Sequence, residues 1–165
     1  MNFGYKGLFV ENVHIVAGLS PSADIYNGNP ASDVVNMKNF AKAVFLLHQC
    51  KNATSTTGTA TVKAQAVTSV AASNATDLPF KYSKKATGAA DTMGAVTSVA
   101  AGSTFTTTAN EDTIYAIEVD ARDLPSTSQY VQLKLTESVN APVIGSVICL
   151  LLGYKMGYPF DTALT

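Results

Sequence analysis

Hydrophobic and polar residues alternate with a period of two in three stretches of the chain. Ala and Val occupy the even positions from Thr59 to Ala66, and Thr, Lys and Gln occupy the odd ones. The stretches TIYAIEVD (113–120) and YVQLKLT (130–136) show the same alternation. Because side chains point to opposite faces along a β-strand, each stretch predicts a strand with one buried face and one wet face. Strands of this kind are typical of antiparallel sheets.

Two further apolar stretches are predicted to be strands, although neither alternates cleanly. In FAKAVFLLHQC (40–50), the spacing of Phe40, Val44 and Leu47 also suits a helix. Its aromatic and Val content, and the Thr- and Gly-rich residues that follow, favour a strand. The stretch APVIGSVICLLLG (141–153) lacks alternation, which predicts a strand that is covered on both faces.

Turn-forming residues separate these stretches and indicate the architecture. Gly, Pro, Asn, Asp and Ser punctuate KNATSTTG, SNATDLP, KKATGAAD, TANED, ARDLPSTS and VNAP, and such clusters mark turns. Seven or eight short strands at this spacing predict an all-β fold, a single-domain antiparallel β-sandwich or jelly-roll-like barrel. We place this domain at residues 32–152, between an irregular N-terminal arm (1–31) and a C-terminal tail (153–165).

One octapeptide occurs almost twice in the Ala-, Thr- and Ser-rich segment 53–109. AVTSVAAS fills positions 66–73 and AVTSVAAG fills positions 95–102, but the sequences that follow the two copies differ. A repeat architecture needs at least three similar units. We therefore predict two short strands that each leave into a turn of small residues, with no functional role for the repetition.

The two ends of the chain are rich in aromatic residues but show no strand period. Aromatic residues and Met are enriched at protein interfaces, so these ends are predicted to contact another protein. The predicted interface residues are Phe3, Tyr5, Phe9, Tyr26, Tyr154, Tyr158 and Phe160. The alternative is that these rings cover the open ends of the chain's own sandwich.

Charge and hydropathy argue against several classes of partner. Charged residues make up 14% of the chain and the formal net charge is -1, which leaves no basic field to hold nucleic acid. The longest apolar run is about half the length of a membrane helix. The first residues do not resemble a secretory signal. We therefore expect a soluble protein made without export, with no nucleic-acid or membrane partner.

The sequence contains no recognisable catalytic, cofactor or metal site. His14 and His48 lack metal-ligand spacing, and the phosphate-binding and serine-hydrolase motifs are missing from the sequence. We therefore expect no enzyme activity. Asp120 and Asp123 leave one question open, since they suit either a cation site or ordinary turn capping.

The two cysteines, Cys50 and Cys149, end or interrupt apolar runs. A chain that stays in a reducing compartment keeps its thiols reduced, and free Cys behaves as a small apolar residue. We expect two buried free thiols, with a disulfide as the alternative.

Several stretches resemble a known family. SDVVNMKNFAKAVFLLHQC, the following GTATVKAQ, and FTTTANEDTIYAIEVDARDLPSTSQYVQLKLT are similar to small proteins encoded among the head genes of tailed bacteriophages. The resemblance covers residues 32–152, while the segment 53–109 matches in character only. The residues that carry it are Val35, Met37, Lys38, Asn39, Ile117, Glu118, Val119, Asp120, Leu124, Tyr130, Val131, Leu133, Lys134 and Leu135.

This resemblance implies a head decoration, or cement, protein. Such a protein is made in the cytoplasm of the host bacterium, sits on the outside of the virion capsid and bridges major capsid protein subunits. It also implies a homo-oligomer, for which we favour a trimer over a dimer. The competing expectation is a β-sandwich module on a virion or tail that recognises host surface glycans, although the chain has no Trp to build an aromatic platform.

Overall fold

The computed structural model describes residues 9–51, 56–85 and 92–154. Within these ranges β-strands are the main secondary structure, and turns and loops connect them. The strands are β1 (His14–Ser22), β2 (Val35–Asn36), β3 (Phe40–Cys50), β4 (Thr59–Val67), β5 (Thr76–Leu78), β6 (Phe80–Lys84), β7 (Thr97–Val99), β8 (Phe105–Thr106), β9 (Thr113–Asp120), β10 (Tyr130–Val139) and β11 (Ile144–Tyr154). A four-residue helix, α1 (Phe9–Asn12), precedes β1, and a 3-10 turn (Ala121–Asp123) follows β9.

The strands form two antiparallel sheets. The larger sheet has the order β1-β11-β3-β9-β6-β7, and the smaller one has the order β2-β10-β4-β5, with β8 also paired to β4. Both sheets are open, so the all-β sandwich is confirmed and the closed barrel is not. The described strands outnumber the seven or eight expected because β1 and β2 were not predicted, and because β4 is followed by the short strands β5 to β8 of two to five residues each.

Alternation along the strands builds the core between the sheets. Along β9, Tyr115, Ile117 and Val119 are buried, while the residues between them are half-buried or exposed. In the same way β4 buries Ala60, Val62, Ala64 and Ala66, and β10 buries Val131, Leu133 and Leu135. The period of two therefore identified the inward positions of all three strands correctly.

An aromatic cluster fills the part of the core near β8. The ring of Phe105 stacks on Tyr82 with a centroid distance of 4.0 Å, and it lies 5.4 Å from Tyr115 and 6.1 Å from Phe80. Aromatic pairs at these distances add to the free energy of burial. The cluster ties the two-residue strand β8 of the smaller sheet to β6 and β9 of the larger one.

Strand β3 confirms the preference for strand over helix in residues 40–50, but β11 corrects the expectation of two covered faces. Val147, Cys149 and Leu151 point into the core and are buried. Ile144 and Ile148 point the other way and are each 43% exposed. The other sheet of the sandwich covers a strand from one side only, so the apolar residues on the second side of β11 stay at the surface.

The N-terminal segment also differs from the irregular arm expected at residues 1–31, because β1 lies inside it. Strand β1 pairs with β11 at the edge of the larger sheet, and its register shifts between Ala17 and Leu19 and again between Leu19 and Ser22. Each such irregularity breaks the period of two. The alternation that predicts a strand is therefore missing from β1. At the other end, β11 runs to Tyr154, two residues beyond the expected boundary at 152.

The two copies of the octapeptide adopt different structures. In the first copy only Ala66 and Val67 lie in a strand, and the remaining residues form a turn. In the second copy β7 covers Thr97–Val99. The prediction of a short strand is confirmed for the second copy and was wrong for most of the first. A functional repeat would place equivalent residues in equivalent surroundings, and these copies do not.

Candidate interaction surface

The larger sheet presents an aliphatic surface on the side that faces away from the smaller sheet. Nine side chains from four neighbouring strands contribute to it. We call this set the outer apolar face: Ile15 and Ala17 of β1, Ile144, Ile148 and Leu150 of β11, Val44 and Leu46 of β3, and Ile114 and Ala116 of β9.

Strand register makes this surface continuous. Ile148 lies opposite Ala17 on one side and Leu46 on the other, and Leu46 in turn lies opposite Ala116. The next row joins Ile15, Leu150 and Val44 in the same way. Directly opposed side chains in an antiparallel pair have Cβ atoms about 4.5–5.5 Å apart. Ile148 is therefore at the centre of a contiguous apolar patch.

The side chains of this patch remain open to solvent. Ile15 is 52% exposed, Ile148 43% and Ile114 39%. The other residues of the face are half-buried or exposed. Single exposed aliphatic residues are ordinary on protein surfaces. A contiguous apolar patch on a sheet is different, since such patches mark sites of interaction.

Charged residues of both signs border the face at one end. Lys42 forms an ion pair with Glu118, and Arg122 forms one with Asp120. Lys42 also lies opposite Asp120 in the strand register, and Glu118 lies opposite Lys81. These residues and Asp123 surround a depression of about 360 Å³, so three cations and three anions balance there. An apolar centre with a polar rim is the usual anatomy of a protein interface.

The structure shows that Asp120 caps the 3-10 turn. The carboxylate of Asp120 accepts hydrogen bonds from the backbone N–H of Arg122 at 2.9 Å and from its guanidinium at 2.7 and 3.0 Å. These bonds to Arg122 lower the pKa of Asp120 to about 2. In the described part of the chain, no group of three or more His, Cys, Asp or Glu side chains is placed to hold a metal ion.

The opposite end of the face carries His48 and Cys50. The Cys50 Sγ atom lies 3.5 Å from Nε2 of His48, and Cys50 is partly exposed beside Ile144. Cys149 points into the core and is buried, and both thiols are free. The expectation of two free thiols is confirmed, but the expected burial of Cys50 was wrong. Gln49 takes the inward position in β3, so its neighbour Cys50 must point outward.

The smaller sheet presents a polar surface by contrast. On its outward side Lys63 forms an ion pair with Asp77 at 2.9 Å. Asp77 also accepts a hydrogen bond from Gln65 at 2.8 Å, and Gln132 donates one to Gln65 at 3.2 Å. Gln65 and Gln132 are themselves buried, and Oε1 of Gln132 has no hydrogen-bond partner among the described residues. The two sheets therefore differ in character, and only the larger one shows an uncovered aliphatic face within the described ranges.

The structure places the predicted interface residues in different environments. Tyr26 is fully buried, which corrects its assignment to an exposed contact surface. Phe9 in α1 is 60% exposed, as a contact residue must be. Tyr154 ends β11. Phe3, Tyr5, Tyr158 and Phe160 lie outside the described residues.

The hydroxyl of Tyr26 can be buried because it has a hydrogen-bond partner in the core. Its Oη donates a 2.7 Å hydrogen bond to Oε1 of Gln49, and Nε2 of Gln49 donates to the carbonyl of Thr108 at 2.6 Å. Burial raises the pKa of the Tyr26 hydroxyl. The bond between residues 26 and 49 fixes the loop after β1 to the end of β3, an interior strand of the larger sheet.

The outer apolar face was missed by sequence reasoning, although its signal was present. Residues 43–47 contain no polar position, and neither do residues 147–152. An apolar run of this kind supplies both sides of a strand with apolar residues. The sequence does not say whether the second side is covered by the chain itself or by a partner.

Comparisons with known proteins identify no relative of this chain. The chain matches no protein-family model, no curated protein and no solved structure. None of the helical segments in the described ranges has the length and hydrophobicity that a membrane crossing requires.

Proposed function

We propose that the protein is a structural virion protein that binds the outside of a tailed-phage capsid and stabilises it by bridging major capsid protein subunits. The resemblance of residues 32–152 to head decoration proteins suggests this partner. The observation that supports a structural role is the outer apolar face, because a subunit that works inside an assembly can leave such a surface for its neighbours.

The physical basis of this role is linkage. A protein that binds only the assembled shell lowers the free energy of that state and leaves the free subunits unaffected. Many copies of a modest interface then add up to a large effect. The formal net charge of -1 produces little long-range repulsion against a protein shell. We assign the capsid contacts to the aromatic residues of the two ends, with the exception of the buried Tyr26.

Co-sedimentation with capsids tests the proposal. Capsids from the phage or prophage that encodes the chain, purified without this protein, should bind the full chain at a fixed ratio and then withstand higher temperature. Deletion of residues 1–7, and separately of residues 157–165, should weaken binding while the melting temperature of the free protein stays close to that of the full chain. Failure of the full chain to sediment with capsids would overturn the proposal.

Measuring both capsid binding and melting temperature shows whether the chain ends contact the capsid or belong to the chain's own fold. If a truncated chain binds poorly and also melts far earlier, its end belongs to the fold and the capsid contact lies elsewhere. Binding of the full chain to host surface glycans, without binding to capsids, would instead support the glycan-recognition function.

A further inference from the structure

We propose that the outer apolar face binds a second copy of this chain, so that two larger sheets pack face to face about a two-fold axis centred near Ile148. This proposal names the surface and the partner of self-association, and its two-fold symmetry predicts a dimer where the resemblance led us to expect a trimer. It goes beyond the capsid proposal and can fail or hold independently of it, because its test needs no capsid.

The size of the face suits such a pair. Four strands about 4.8 Å apart span roughly 19 Å, and the stretch of β3 from Lys42 to Cys50 spans roughly 30 Å. The outer apolar face together with its charged border and the His48 and Cys50 end therefore offers a flat area of roughly 600 Å² per copy, which the relief of the side chains increases towards the roughly 800 Å² per partner of a standard interface. A small ligand would leave most of this area uncovered.

The shape of the face also favours an identical partner. Two sheets that carry the same right-handed twist pack well face to face, with mean strand directions within about 30° of each other. The two sheets of each sandwich already pack in this general way. Ile15, Val44 and Ile148 are β-branched and restricted at χ1, so ordering them at an interface loses little rotamer freedom.

The charges around the face permit the same pairing. Lys42, Lys81 and Arg122 at the rim are balanced by Glu118, Asp120 and Asp123, while the centre carries no charged side chain. A strongly acidic or basic partner would gain little from a rim of zero net charge. A second copy meets a rim of equal balance and suffers no net repulsion.

The sequence of β11 provides an independent argument. Apart from Ser146, its outward residues from Ile144 to Leu150 are as apolar as the inward residues that the core covers. Strands with this composition on both sides are typically buried on both sides. The smaller sheet covers one side, and the second copy covers the other.

Sedimentation velocity over a concentration series tests the proposal with the full chain. We expect a reversible shift from the mass of one chain, 17.2 kDa, to twice that mass as concentration rises. In a two-fold interface each substitution occurs on both sides of the contact. I148K should therefore raise the dissociation constant at least a hundredfold, and the milder I148T should raise it about tenfold.

V139K is the matched control. Val139 is 44% exposed and Ile148 is 43% exposed, but Val139 lies at the end of β10 in the smaller sheet. The V139K variant should dimerise like the natural chain. Circular dichroism and melting temperature should show that all three variants fold, and if I148K fails to fold, I148T carries the test.

Several results would overturn the proposal. One is a natural chain that stays monomeric up to millimolar concentration. Another is a dimer, or a trimer, whose dissociation is equally insensitive to Ile148 and Val139 substitutions. A trimer that I148K dissociates would overturn the two-fold arrangement. A monomer that binds a hydrophobic dye only after deletion of residues 1–7 or 157–165 would show that the chain's own end covers the face.

Discussion

The hydroxyl of Tyr26 donates a 2.7 Å hydrogen bond to Oε1 of Gln49 in the interior of the sandwich. Tyr26 belongs to the loop after β1, and Gln49 is an inward residue of β3 near the end of that strand. The contact joins the N-terminal segment to the larger sheet through two buried polar groups. Residues 1–31 are therefore not a separate arm along their whole length.

Replacement of Tyr26 by Phe should destabilise the protein by about 1–3 kcal/mol, because Gln49 Oε1 would be left buried without its donor. Urea unfolding of the purified chain measures this change. Y130F serves as the control, since Tyr130 is half-buried in β10, and it should change the free energy of unfolding by less than about 0.5 kcal/mol. Equal effects of the two substitutions would contradict the role given to the Tyr26 hydroxyl.

The four valines of the repeated octapeptide offer a second test. Val67 is 0% exposed and Val99 is 8% exposed, whereas Val70 is 54% and Val96 is 67% exposed. V67A and V99A should each destabilise the protein by about 1–2 kcal/mol, through the loss of two buried methyl groups. V70A and V96A should stay within about 0.5 kcal/mol of the natural chain. Similar losses for Val70 and Val99 would mean that the two copies are equivalent after all.

The two cysteines should differ sharply in reactivity. Cys50 is partly exposed on the larger sheet, while Cys149 is buried in the core and its pKa is raised by that burial. A thiol reagent added to dilute native protein, below the concentration at which copies associate, should modify one thiol quickly. The second should react only on unfolding. C50S should remove the fast phase, and two fast thiols in the natural chain would refute the packing of β11.

Stability should fall in alkaline solution, and burial of Cys149 and Tyr26 is the reason. Burial raises the pKa of both groups in the folded state. The unfolded chain releases their protons near pH 8.5 and pH 10, where the folded chain still holds them. Because the unfolded state then binds fewer protons, the free energy of unfolding decreases as pH rises, by up to about 1.4 kcal/mol per pH unit for each group.

Urea midpoints between pH 7 and pH 11 measure this alkaline effect. The decline should begin near pH 8.5 and steepen above pH 10. C149A should delay its onset, while Y26F should reduce the slope above pH 10. A midpoint that stays constant to pH 11 would show that neither group is as buried as the structure places it.

The amino-acid sequence by itself determined the strands whose environment is regular. In β4, β9 and β10 the alternation of apolar and polar residues specified both the strand and its inward side. The reason is local, because successive side chains of an extended chain point in opposite directions whatever the strand pairs with. The turns followed from the same local logic, as the capping of the 3-10 turn by Asp120 shows.

Only the tertiary structure decided the features that depend on distant residues. The bulges of β1 hide its period, and its pairing with β11 across more than a hundred residues makes it a strand. The two octapeptides differ only in their last residue, yet their structures diverge because their valines meet different neighbours. The apolar runs of β3 and β11 predicted strands. The outer apolar face, however, forms only because the sheet order places these strands side by side and the smaller sheet covers one of their two sides.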